Sequence, residues 1–198
     1  MWRHGGMGKL YCSEHPGKAE GVQRRGCGVR HVFPGSPSYS GSKSLCEHSP
    51  VKIGCQGVYR DDTAENGNFG AFTTNRTANA AKAMGCSSVI IGHCEERRDK
   101  AGILEEAGVT DEDAIGRLLN QEIKAAIQAG LTVLYCIGET AGEQEHWQEV
   151  LKSQLETGLK DVDKEKVVIA YEPYGPSDQA RRRRMKHISR RLVPILRR

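Results

Sequence analysis

Between residues 51 and 173, short apolar runs alternate with stretches in which apolar residues recur every three or four positions. Val51–Gln56, Val89–Ile91, Leu131–Ile137 and Val167–Tyr171 are brief and apolar at consecutive positions. Such runs predict strands of a parallel sheet that is covered on both faces. Thr74–Met84 is Ala-rich and reads as a helix stopped by Gly85. Asp111–Ala129 places Ile115, Leu118, Leu119, Ile123 and Ile127 on one side, with Thr110 or Asp111 as its N-cap and Gly130 as its stop. Glu143–Leu159 predicts a further helix. Strand and helix therefore take turns along the chain with short connections, which implies helical crossovers between parallel strands.

The flanks read differently. Residues 1–50 are rich in Gly, Ser and Pro and show little periodicity apart from a short apolar piece near Val29–Phe33. Residues 174–198 hold eight Arg and one Lys against one Asp, a net +8 in a chain of total charge +4, so residues 1–173 carry −4. The organisation expected is a poorly patterned segment 1–50, an α/β core 51–173 and a basic tail 174–198. At 198 residues the chain has room for one good-sized domain. No apolar run approaches the ~18 residues of a membrane span, and no continuous signal-peptide core precedes the first polar residues. Seven Cys, an odd and sparse number with no Cys-x-x-Cys pair, argue against a disulfide scaffold or a zinc site. The expected setting is a reducing cytoplasm, with no membrane partner.

In parallel α/β folds chemistry gathers where the strands end. The polar residues there are Gln56, His93 with Glu95, Cys136 with Glu139, and Glu172. Each alone has a bland reading, as a helix cap or a hydrogen-bonded structural residue. Three successive strands that each deliver an ionisable side chain to one rim are harder to dismiss. Ile91-Gly-His-Cys-Glu95 resembles the fourth-strand motif of triosephosphate isomerases. Tyr135-Cys-Ile-Gly-Glu139 resembles the fifth-strand motif and Ala170-Tyr-Glu-Pro173 the sixth. Lys52-Ile-Gly-Cys-Gln56 with Gly70-Ala-Phe-Thr73 is similar to the third strand and its loop.

The resemblance implies an incomplete TIM (β/α)8-type barrel of about six of the eight βα units. It also implies interconversion of dihydroxyacetone phosphate and glyceraldehyde 3-phosphate, without cofactor or metal. Glu172 would be the base that moves a proton between adjacent carbons, and a neutral His93 would polarise the carbonyl. Glu95 would support the rim electrostatically, and Cys136 would be structural. Lys9, in Gly5-Gly-Met-Gly-Lys9, stands near the place of the family's substrate-binding Lys, although Met7 and Gly8 depart from its pattern. The intact family is homodimeric, which would place a subunit contact near Asn68–Thr74.

After Glu172-Pro173 the family's lid reads Val-Trp-Ala-Ile-Gly-x-Gly-Lys, whereas this chain reads Tyr174-Gly-Pro-Ser-Asp-Gln-Ala-Arg181 and continues into Arg182-Arg-Arg184. Taking the last base of each codon with the first two of the next permits the family's lid without an exception. The expectation is therefore an out-of-frame tail, an open sheet edge and impaired catalysis. One rival account is a non-catalytic barrel relative that pairs with intact subunits, and the other is a nucleic-acid partner for Arg181–Arg184, Lys186, Arg190 and Arg191. The absence of any aromatic after Tyr174 weighs against it.

Overall fold

The computed structural model describes residues 30–32, 51–64 and 70–172. Five strands form one sheet in chain order: β1 (Arg30–Val32), β2 (Val51–Cys55), β3 (Ser88–Ile91), β4 (Thr132–Ile137) and β5 (Val167–Tyr171), each parallel to its neighbours. Between them run α1 (Ala78–Ala83), α2 (Cys94–Glu106), α3 (Ala114–Gln128) and α4 (Trp147–Gly158), with 3-10 turns at Ala141–His146 and Lys164–Lys166. A sheet that adds strands in sequence order, with a helix after each of β2 to β4, is the build-up of a barrel wall.

Alternate strand positions make the core. Ile53 and Cys55 of β2, Val89 and Ile91 of β3, and Val133, Tyr135 and Ile137 of β4 are buried on one face. That face meets Ala78 and Ala81 of α1, Leu119, Ile123 and Ala126 of α3, and Leu151 and Leu155 of α4. Burying one such Leu or Ile side chain contributes about 2 kcal/mol. The other face carries Lys52 and Val168, both exposed, and Ile90, Leu134 and Ala170, which are half-buried. Among the described residues the helices thus cover one face, not the two that the apolar runs predicted. The runs record that both faces shun water. They do not record what covers the second face, which in a closed barrel is the opposing wall.

Helix boundaries depart from the sequence pattern where local hydrogen bonds intervene. The Thr77 hydroxyl accepts the Ala80 N–H at 3.3 Å, so α1 begins at Ala78 rather than Thr74. Asp111 accepts the Asp113 N–H at 3.0 Å and pairs with Arg117. This spends Asp111 on a turn, and α3 starts three residues later with Asp113 as N-cap. The segment from Glu143 divides into a 3-10 turn and α4, because Thr140 and Glu143 form a reciprocal capping box. Helix α2 has no buried residue and leaves Ile103 62% exposed, so no apolar stripe announced it. Lys9 and the 174–198 tail lie outside the described residues, as do residues 65–69 of the loop leading to Gly70.

Candidate active site

Register explains how residues far apart in sequence reach one rim. Ile91 is level with Tyr135, and Tyr135 with Ile169. His93 and Glu172 therefore emerge just past the ends of β3 and β5, on either side of β4. Parallel strands lie about 4.8 Å apart, so side chains leaning over β4 from both sides can meet. They do: His93 Nε2 lies 3.6 Å from Glu172 Oε1.

The imidazole is held by the start of α2, of which His93 is the N-cap. The Glu95 N–H donates to His93 Nδ1 at 3.4 Å. A ring nitrogen that accepts carries no proton, so in the neutral ring the hydrogen sits on Nε2, facing Glu172. The Glu95 carboxylate, 3.6 Å from Nδ1, is 80% exposed. Its backbone holds the ring, and its charge is largely spent in water. The positive end of the α2 dipole also points at this rim, as suits an anionic ligand.

Gly92 sets the turn. Its φ is +81°, and a Cβ there would stand 2.7 Å from the Cys136 carbonyl oxygen and 2.9 Å from Tyr135 Cε2. Both ends of this residue are clamped: Glu96 Oε2 accepts the Gly92 N–H at 2.6 Å, and Arg97 Nε donates to the Gly92 carbonyl at 2.8 Å. Arg97 Nη2 reaches on to the Tyr135 hydroxyl at 3.1 Å and the Cys136 carbonyl at 2.9 Å. The Tyr135 hydroxyl in turn donates to the Gln154 carbonyl at 2.8 Å, in a space that exists because Gly158 has no Cβ. The histidine turn is thereby tied to β4 and α4.

Glu172 donates its N–H to the Ile137 carbonyl at 2.8 Å, and its side chain is 35% exposed. Beside it Cys136 is buried. Burial first, then the neighbouring Glu172 charge, pushes that thiol far up, so it stays protonated and donates to the carboxylate. Glu139, also on the rim, is buried and accepts the Tyr171 hydroxyl at 2.9 Å. Gln154 braces Gly138 through its N–H at 3.0 Å and its carbonyl at 2.8 Å. That bracing matters because Gly138 packs directly on the Glu172 carbonyl. Gln56, just past the end of β2, is exposed.

The structure therefore brings His93, Glu95 and Glu172 to one rim and adds Arg97, Tyr135 and Gln154 as supports. The sequence marks Tyr135 only as part of its strand motif and gives Arg97 and Gln154 no mark at all. A lone Arg in a polar helix reads as solvated, and their partners lie up to 39 residues away. His93, Cys94 and Glu172 offer nitrogen, sulfur and oxygen within 4.8 Å of one another.

Among known proteins, a family model described as triosephosphate isomerase matches residues 18–180. A triosephosphate isomerase of Geobacter metallireducens is 48% identical over 109 residues, covering 52% of this chain and 39% of that protein. One from Leptospira interrogans is 34% identical over 150 residues, covering 73% and 53%. The crystal structure of the Bartonella henselae triosephosphate isomerase superposes with a TM-score of 0.60 at 28% identity, covering 73% of this chain and 55% of that one. The chain spans about half the length of the curated relatives it matches. With a family match over most of its length, parallel strands in barrel order and the motifs in register, the chain belongs to the triosephosphate isomerase family.

Proposed function

We propose that this rim performs the aldose–ketose isomerisation of triose phosphates, with Glu172 as base and His93 as electrophile. The observation that carries the reading is the pair itself: a carboxylate oxygen 3.6 Å from Nε2 of a ring whose other nitrogen faces a backbone N–H. A substrate seated between them would present its α-carbon to Glu172 and its carbonyl oxygen to His93 Nε2. Glu172 takes the proton from C1 of dihydroxyacetone phosphate while Nε2–H stabilises the oxygen charge that develops. The carboxylic acid so formed returns a proton to C2 while the O1 hydroxyl proton passes to O2 by way of His93 Nε2, so one hydrogen moves between adjacent carbons and one between their oxygens, leaving an aldehyde at C1. Positioned acid–base groups of this kind contribute about 10²–10⁴-fold.

We read residues 51–173 as the barrel core, with 1–50 as its leading units and 174–198 as a displaced lid. Lys9 is the proposed phosphate partner, and a second copy meeting the loop near Asn68–Thr74 is the proposed assembly. Because the residues after Pro173 do not read as a lid that excludes water, turnover should be weak. Proton exchange is the sensitive test. Dihydroxyacetone phosphate incubated with the chain in D2O should lose its C1 proton signal, and Glu172→Gln should stop the loss. An exchange rate equal to that of the buffer would sink the assignment, and family-like turnover would overturn the impairment alone.

A further inference from the structure

Below the histidine turn lies a polar cluster that the proposed chemistry does not use. Glu122 sits on the buried side of α3 among Leu119, Ile123 and Ala126, with its side chain 6% exposed. Lys100 Nζ is 2.9 Å from Glu122 Oε1 and 3.1 Å from Glu96 Oε1. Glu96 Oε2 receives the Gly92 N–H. Glu122 Oε2 is buried and has no donor to accept from.

A buried carboxyl and a half-buried one against a single ammonium leave a charge unbalanced, and unpaired charge away from water is costly. A proton on Glu122 Oε2 resolves both anomalies. The orphan oxygen becomes a donor to Glu96, and the cluster becomes neutral. We propose that Glu122 is a positioning residue for His93, acting through Lys100 and Glu96 on the Gly92 peptide. Gly92 precedes His93 directly, and its positive φ fixes the direction in which the imidazole leaves β3. The inference rests on the reading of His93 as the electrophile.

Electrostatics supports the geometry. Burial, then the adjoining Glu96, pushes the Glu122 carboxyl up to about 8. Against the cost of burial, hydrogen bonds from Glu122, Lys100 and the Gly92 N–H hold Glu96 below its ordinary value. Among the described residues, the charged and titratable groups of the cluster are Glu96 and Lys100 of α2 and Glu122 of α3. Toward β4 stand Arg97, Tyr135 and Cys136, the last two within the field of Glu96. Loss of the shared proton sets two carboxylates against each other beside one ammonium, and the grip on Gly92 loosens.

The test follows the Gly92 amide and the His93 ring by NMR in the isotope-labelled full chain, from roughly pH 6 to pH 10. Both should shift through one transition near pH 8, where Glu122 loses its proton. In Glu122→Gln the amide nitrogen replaces the proton as donor to Glu96 and the carbonyl still accepts from Lys100. The transition should vanish there, with both signals near their low-pH positions. A Gly92 amide that does not respond in the wild-type chain overturns the proposal, even if the variant fails to fold. So does a transition that persists in Glu122→Gln, or one that leaves the His93 ring unmoved. The D2O exchange assay judges the chemistry separately: silence there with this transition intact would refute the function and leave the positioning of the ring standing.

Discussion

Gly92→Ala should weaken the β3–α2 turn by an amount that the surroundings of Gly92 fix. A Cβ at φ +81° meets the left-handed penalty of about 1–2 kcal/mol. It also lies 2.7 Å from the Cys136 carbonyl, 2.9 Å from Tyr135 Cε2 and 3.0 Å from Arg97 Nη2. The first of these is backbone in a central strand and cannot swing aside, so overpacking adds about 1–3 kcal/mol. The sum is about 2–5 kcal/mol, and in native-state amide exchange it corresponds to opening roughly thirty- to several-thousand-fold more often. The assay is hydrogen–deuterium exchange of peptides covering Ser88–Arg98, where faster exchange is expected up to the limit set by global unfolding. Gly102→Ala is the control. It lies in α2 with open space around its Cβ, so it should gain about 0.5–1 kcal/mol and slow exchange in the helix. If Gly92→Ala exchanges at the wild-type rate, or if both variants move in the same direction, the steric account of this turn is wrong.

Other expectations follow from neighbouring groups. Leu119→Ala, at a fully buried position facing the sheet, should cost about 2–5 kcal/mol in urea unfolding without altering the His93–Glu172 pair. Gln154→Leu strips Gly138 of a donor and an acceptor and should cost about 1–3 kcal/mol for each group left unpaired, read in the same experiment. Glu122 binds its proton more tightly folded than unfolded. Its contribution is therefore fully present below about pH 4.5 and is lost as pH rises through about 8, so the stability of Glu122→Gln should lack that alkaline decline. Among the four described cysteines, exposed Cys94 should alkylate readily in the native chain. Burial pushes Cys55 up to about 12 and raises Cys86 and Cys136 as well, so peptide mapping should find these three unmodified.

Elements that bury apolar side chains were legible in the sequence. The β5 strand coincides with the predicted Val167–Tyr171, and α3 falls within Asp111–Ala129, because apolar spacing and Gly stops report burial directly. Helix α2 was invisible for the complementary reason: its packing runs through Lys100 and two glutamates rather than through an apolar stripe. His93 and Glu172 could be named from their motifs, yet their approach depends on strand register, which no local pattern encodes. The Arg97–Tyr135–Gln154 chain and the Glu122 cluster were beyond reach, since both arise from pairings between distant segments.

Tyr135 and Gly158 share one volume, the hydroxyl of one occupying the place that a side chain on the other would need. Neither position is then free to vary alone. A larger residue at 158 would evict the ring and unseat Arg97, and a smaller one at 135 would leave a void under α4. Changes that keep this packing intact should trade bulk between the two sites, so that helix α4 and the histidine turn drift together as sequences diverge.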